Sequence, residues 1–220
     1  MDKQISVFSF GRTQSYRCPN KMLREFGGTT LTDIILGKLK ILGDHAFFAG
    51  YEDAFKHKCS EHGVRFVARD YDSVSIDGPI TDILSFLKYE AAEYFLIING
   101  CLPFLTIETI QRFLDEVRFR SYQPAFAISV KNNFFLDNSY QPINFSLDMK
   151  TINTKTVDSV FEFAHALYFF EKDYFFKEGR YWDWNQVEFI SIDNQLELLD
   201  IDTEQDFNIA EILWKSRSEI

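Results

Sequence analysis

Cysteine is scarce in this 220-residue chain, which has only Cys18, Cys59 and Cys101. An odd number at wide spacing, with no Cys-x-x-Cys pair, argues against a disulfide frame or a thiolate zinc site and fits reduced thiols. Excess positive charge is also lacking. With 23 Lys and Arg against 33 Asp and Glu, the net charge is -10, whereas a broad nucleic-acid footprint needs clustered cations to replace condensed counterions. No apolar run is long enough to span a bilayer, and the first residues, MDKQISVFSFGR, lack the basic, apolar and small-residue order of a secretion signal. Low-complexity tracts and internal repeats are missing too. These absences lead us to expect a cytoplasmic protein with no nucleic-acid and no membrane partner.

Large apolar side chains are abundant. Aromatic residues make up 17% of the chain, with 24 Phe among them, which implies a thick core rather than a disordered segment. The length suits one domain over residues 1–220. Short β-rich runs at Gln4–Phe10, Ala46–Tyr51, Val64–Ala68, Tyr94–Asn99 and Phe126–Val130 read as buried, largely parallel strands. Helical periodicity over Leu31–Leu42, Ile80–Tyr89 and Ile107–Phe119 supplies the crossovers, and a last helix is expected from about Glu204 to Trp214. The fold class expected is α/β: a layered, mostly parallel sheet with helices on both faces. Residues 131–159 break this rhythm. Their alternating Ile143, Phe145, Leu147 and Met149 read as a protruding β-arm whose apolar face needs a partner.

Three constellations offer chemistry. The loop after the first strand places Arg12, Arg17 and Lys21 within ten residues, with Ser15 between them. Guanidinium forks, an ammonium and loop N–H groups suit a polyphosphate at the carboxyl end of a strand, although a solvated turn has the same composition. Near the other end, Leu198–Asp202 read as a strand sends Asp200 and Asp202 to one face, with Cα atoms about 7 Å apart. Such a pair suits Mg²⁺ shared with substrate phosphates, while Asp202 or Thr203 could equally cap the helix that follows. Thirdly, the strand ending Ile97-Ile98-Asn99-Gly100 offers an amide at its tip, or simply a turn.

Taken in order, Arg-x-x-Ser-x-Arg-x-Pro-x-Lys-x-Leu from Arg12, Asn-x-Cys-x-Pro-Phe-Leu-Thr from Asn99 and Leu-Asp-Ile-Asp-Thr-Glu-x-Asp-Phe from Leu199 resemble the cytidylyltransferases that make CMP-activated sugar acids. That family includes the CMP-sialic acid and CMP-Kdo synthetases. The Gly27-Gly28 turn before the first long helix belongs to the same likeness, which runs over nearly the whole chain. It implies a Rossmann-like nucleotidyltransferase fold and CTP as substrate, with an acidic, sialic-acid-like sugar as acceptor for surface polysaccharide synthesis. It also implies Mg²⁺ or Mn²⁺ as cofactor and a homodimer joined through the arm. Arg12, Ser15, Arg17 and Lys21 would hold the triphosphate, with Arg69 and Asn99 on the nucleotide side. His165 and Tyr168 would border the acceptor, Asp200 and Asp202 would bind metal, and Arg12, Lys21 and Asp200 would carry catalysis. Met22, Leu105 and Cys101 depart from the family pattern, and Cys101 stands where Kdo-type enzymes have a metal-binding Asp. The changed positions leave room for a phosphate- or amidate-bearing acceptor, or for a silent nucleotide-binding relative.

Overall fold

The computed structural model describes residues 3–75 and 78–217. In chain order its elements are β1 (Ile5–Phe10), β2 (Glu25–Phe26), β3 (Thr29–Thr30), α1 (Leu31–Leu42), β4 (Ala46–Gly50), α2 (Asp53–His62), β5 (Arg65–Ala68) and α3 (Tyr71–Ser75). They continue with α4 (Ile80–Ile83), β6 (Tyr94–Ile98), α5 (Ile107–Phe119), β7 (Ala125–Lys131), β8 (Val160–Glu171), α6 (Lys172–Glu178), β9 (Glu188–Ser191) and α7 (Glu204–Arg217). Seven strands form one sheet in the order β5-β4-β1-β6-β8-β7-β9. Every neighbouring pair is parallel except the two made by β8, which runs against both β6 and β7.

The period of the strands explains the layers. Successive side chains point to opposite faces, so Val7, Phe48 and Leu96 enter one core with Leu36, Phe55, Phe113 and Phe207 of α1, α2, α5 and α7. Phe8, Phe47 and Phe95 enter the other with Leu84, Leu87 and Phe175. Helices thus cover both faces, as the continuous apolar strands require. Capping fixes α1 and α5 at the expected bounds: Thr30 accepts from Asp33 N at 3.1 Å, and Thr106 accepts from Thr109 N at 3.2 Å. Between β2 and β3, Gly27 and Gly28 have φ of 55° and 85°, the positive pair that a two-residue type I′ hairpin demands.

Three expectations need correction. The stretch Ile80–Tyr89 is not one helix but α4 followed by a 3-10 turn over Ser85–Tyr89. Leu198–Asp202 is not a strand, because a 3-10 turn over Gln195–Leu198 hands directly to irregular chain. Nor is the 131–159 segment a β-arm: beyond the end of β7 its described residues show one isolated bridge, Leu136 with Pro142, and a short 3-10 turn over Thr154–Thr156. Its alternation is real, but its buried centre is polar. Asn144 donates to the carbonyls of Asn133 (2.8 Å) and Asp158 (2.7 Å) and accepts from Phe135 N at 2.9 Å. Three remote backbone groups are tied to one amide, while Ile143 and Leu147 stay exposed.

Two predictions follow from buried polar groups. Asn144→Ala leaves those three groups without their partner, at about 1–3 kcal/mol for an orphaned buried group. Amide exchange should then speed up over residues 132–159 and leave the sheet unchanged. Lys38 of α1 donates to the carbonyls of Leu102 and Pro103, both at 3.1 Å, and burial lowers its pKa to about 7 from 10.5. The unfolded chain therefore binds more protons between those values, so stability rises with pH across that window. Lys38→Met should flatten the rise in denaturant titrations from pH 7 to pH 10.5.

Candidate functional site

From β1 the chain builds outward through β4 to β5, then returns to the far side of β1 as β6. This reversal opens a crevice at the carboxyl ends of β1 and β6, where open α/β sheets seat ligands. Two cavities fill it, of about 340 Å³ and 650 Å³. Phe10, Cys101 and Asp202 line both.

The smaller cavity collects Arg12, Ser15, Arg17, Lys21 and Arg69. Its loop is pinned at each end. Thr13 donates its N–H (2.8 Å) and its hydroxyl to Glu52 Oε1, and Arg24 forks onto Glu204 with two 3.0 Å bonds while stacking 3.8 Å over Phe207. Arg12 donates to the Val74 carbonyl at 3.0 Å. Arg69 is buried, donates to the carbonyls of Gly11, Ser73 and Ile83, and keeps a buried Nε without a partner. Desolvation, then repulsion from Arg12, lowers its pKa to about 10. It organises the cavity floor and remains a cation.

Lys21 and Arg17 both reach Asp202, at 3.4 Å and 3.1 Å, and Lys21 also donates to the Ile201 carbonyl. Burial alone would lower the Lys21 pKa, but Cys101, Asp202 and Asp200 outweigh it and the net shift is upward. The helix cap does not consume Asp202. Thr203 and Asp206 cap each other instead, with Asp206 N donating to Thr203 Oγ1 at 3.2 Å and Thr203 N to Asp206 Oδ2 at 2.8 Å.

The larger cavity collects Asn99, His165, Tyr168, Asp200 and Asp202. Asn99 Nδ2 donates to the His165 carbonyl at 2.9 Å and to Asp200 Oδ2 at 3.1 Å, while its Oδ1 accepts from Cys101 N at 2.9 Å. Asn99 therefore sits at the acidic side of the crevice, hydrogen-bonded to Asp200. Asp200 Oδ1 is buried without a hydrogen-bond partner. Desolvation, then the Asp202 charge, raises the Asp200 pKa above the usual carboxylate value. His165 occupies a bulge: β7 advances from Phe126 to Ile128 while its partners on β8 run from Tyr168 to Phe163. Its φ of 49° is left-handed, a strain of about 1–3 kcal/mol for a non-glycine residue. The bulge swings the imidazole onto the Tyr168 hydroxyl, with Nδ1 at 2.6 Å.

Sequence reading missed the wall of this cavity. Tyr181 and Trp182, in the loop after α6, pack with Phe163 and Tyr168, and Trp182 lies parallel to Tyr168 with ring centres 5.9 Å apart. The signal was the aromatic run Tyr181-Trp182-Asp183-Trp184 just past Gly179. Of the departures from the motif pattern, Leu105 is core, whereas Met22, packed beside Gly100, and Cys101 both line the smaller cavity. Burial lifts the Cys101 thiol to about 11.

A cation-lined loop and a carboxylate-bearing cavity at the switch point of a mostly parallel sheet define an enzyme of the nucleotidyltransferase class. Residues 11–174 match the family model of the MobA-like NTP transferase domain, and the chain belongs to that family. No curated protein matches the chain. Among solved structures it is similar to a CMP:2-keto-3-deoxy-manno-octonic acid synthetase complexed with CTP. That likeness has a TM-score of 0.70 at 10% identity, covering 98% of this chain and 100% of the other. It is also similar to the 4-diphosphocytidyl-2C-methyl-D-erythritol synthase of Anaerococcus prevotii, with a TM-score of 0.63 at 14% identity over 97% and 99% of the two chains. A cytidylyltransferase from Leptospira borgpetersenii gives 0.58 at 14% identity over 99% and 96%.

The ion pairs make a counterintuitive prediction. Asp202→Asn releases Arg17 and Lys21 and removes a nearby negative charge, so in excess chelator it should tighten pyrophosphate binding by roughly tenfold or less. Calorimetric titration of both proteins measures this. Weaker binding by the variant would show that these cations do not serve phosphate.

Proposed function

We propose that the chain transfers a cytidylyl group from CTP to an acceptor held in the larger cavity, releasing pyrophosphate. The observation that carries this reading is the shared partition: cations line one cavity, carboxylates the other, and Asp202 borders both. The three motifs and the cytidylyltransferase neighbours, one of them complexed with CTP, support cytosine as the base. By the motif resemblance alone, the acceptor would be an acidic, sialic-acid-like sugar destined for surface polysaccharide. A phosphate- or amidate-bearing acceptor would react by the same step.

In that step an acceptor oxygen bonds to the α-phosphorus as the bond to the oxygen bridging the β-phosphorus breaks, and pyrophosphate departs with the electron pair. Arg12, Arg17 and Lys21 hold the triphosphate and neutralise charge building on the leaving group. A hydroxyl acceptor gives its proton to the Asp200 carboxylate, which lines the larger cavity; a phosphate dianion has no proton to lose. Asp200 and Asp202 also fit a hard divalent ion, Mg²⁺ or Mn²⁺. Among the described residues no group of three potential ligands gathers, and one or two carboxylates plus substrate phosphates are the usual set for Mg²⁺. When bound, the ion would supply charge neutralisation at the α-phosphate. A homodimer through the 131–159 segment belongs to the same proposal.

Pyrophosphate release, followed for each NTP against a panel of acceptors with Mg²⁺, tests the reading. CTP alone among nucleotides should give turnover, and excess EDTA should abolish it. Asp200→Asn should lower kcat by about 100-fold or more with little change in the KM for CTP. Lys21→Ala should weaken CTP far more than cytidine. Absence of release with every acceptor would mark a silent relative.

A further inference from the structure

The larger cavity has a chemical bias that the transfer reading leaves open. Its lining combines five aromatic rings, Phe10, Phe163, Tyr168, Tyr181 and Trp182, with the carboxylates of Asp200 and Asp202. No Lys or Arg among the described residues lines it, whereas Arg12, Arg17, Lys21 and Arg69 all face the neighbouring cavity. The one ionisable nitrogen is the His165 imidazole, whose Nδ1 is already engaged by Tyr168. Aromatic faces carry negative quadrupoles, and a ligand carboxylate here would also face two protein carboxylates in a partly desolvated space. Cancelling the aspartate charges with a bound ion still leaves a π-faced wall with no cation. The wall is fixed in place: Trp182 Nε1 donates to the Phe169 carbonyl at 3.0 Å, and its ring stacks on Tyr168.

We infer that the acceptor is an alcohol whose body carries no negative charge and lays an apolar or ammonium-bearing face on this wall. The inference rests on the cytidylyl-transfer reading for the word acceptor, and it selects against the acidic sugar suggested by the motifs. An electroneutral body gains stacking and loses little solvation, and an ammonium gains cation–π attraction besides. A carboxylate gains neither and meets repulsion.

Three small hydroxyl compounds with a quaternary centre test the inference on the full chain: trimethylammonio-ethanol, its uncharged carbon isostere 3,3-dimethylbutanol, and the carboxylate hydroxypivalate. Their binding is followed by intrinsic tryptophan fluorescence. The first two should bind at least tenfold more tightly than hydroxypivalate, and Phe163→Leu and Tyr181→Leu should each erode that preference while circular dichroism stays unchanged. Hydroxypivalate binding as tightly as the others, or no saturable binding by any of the three, would overturn the inference. CTP binding is measured in the same preparation by equilibrium dialysis. Its failure would defeat the transfer reading and leave the preference of the wall on record.

Discussion

The reciprocal cap between Thr203 and Asp206 is the contact on which the site depends. A helix start must satisfy its first N–H groups, and an aspartate just before α7 is the obvious group to do it. Because Thr203 and Asp206 do so for each other, the carboxylate of Asp202 is released to face Arg17 and Lys21. One local satisfaction of backbone donors thus sets the charge pattern of the whole crevice. Arg24 reinforces it from the other side, tying the phosphate-side loop to Glu204 in the first turn of the same helix.

The same logic runs through the supports behind the site. Glu197, buried beneath the loop after β6, accepts from the N–H and hydroxyl of Thr106. Lys38 holds the two carbonyls just before it. Gly100 lies against its neighbours, since a Cβ there would crowd Ser9 Oγ at 3.0 Å and Met22 Cε at 3.1 Å. Charged and backbone groups below the surface hold Asn99 and Cys101 in place, so the crevice is preorganised without bound ligand.

What the sequence made legible follows physical strength of signal. Helices α1 and α5 carry continuous apolar stripes and Thr caps, and both were bounded correctly. Four of the five expected strands, β1, β4, β6 and β7, are buried on both faces or nearly so, and their runs stood out for that reason. Helix α2 escaped notice because only Phe55 and Cys59 face the core in an otherwise polar segment. The 131–159 segment misled because an apolar alternation surrounds Asn144, and no sequence period reveals that an amide binds three distant peptide groups. Arg12, Ser15, Arg17 and Lys21 were legible as a cluster within one loop, and they line one cavity. Asn99, Asp200 and Tyr168 were named individually, but the wall they share with Tyr181 and Trp182 was hidden. It is assembled by a bulge in β8 and a loop after α6, which only the folded chain brings together.

That division of labour has an evolutionary reading. The cation-lined loop comes from residues 11–24, held by Glu52 and α7, while the aromatic wall comes from β8 and the turn after α6. Among the described residues, Phe10, Cys101 and Asp202 line both cavities. Substitutions can therefore reshape the wall without altering the cation-lined loop, and the left-handed bulge at His165 already turns that strand towards the pocket. A lineage built this way diversifies by exchanging one lining at a time.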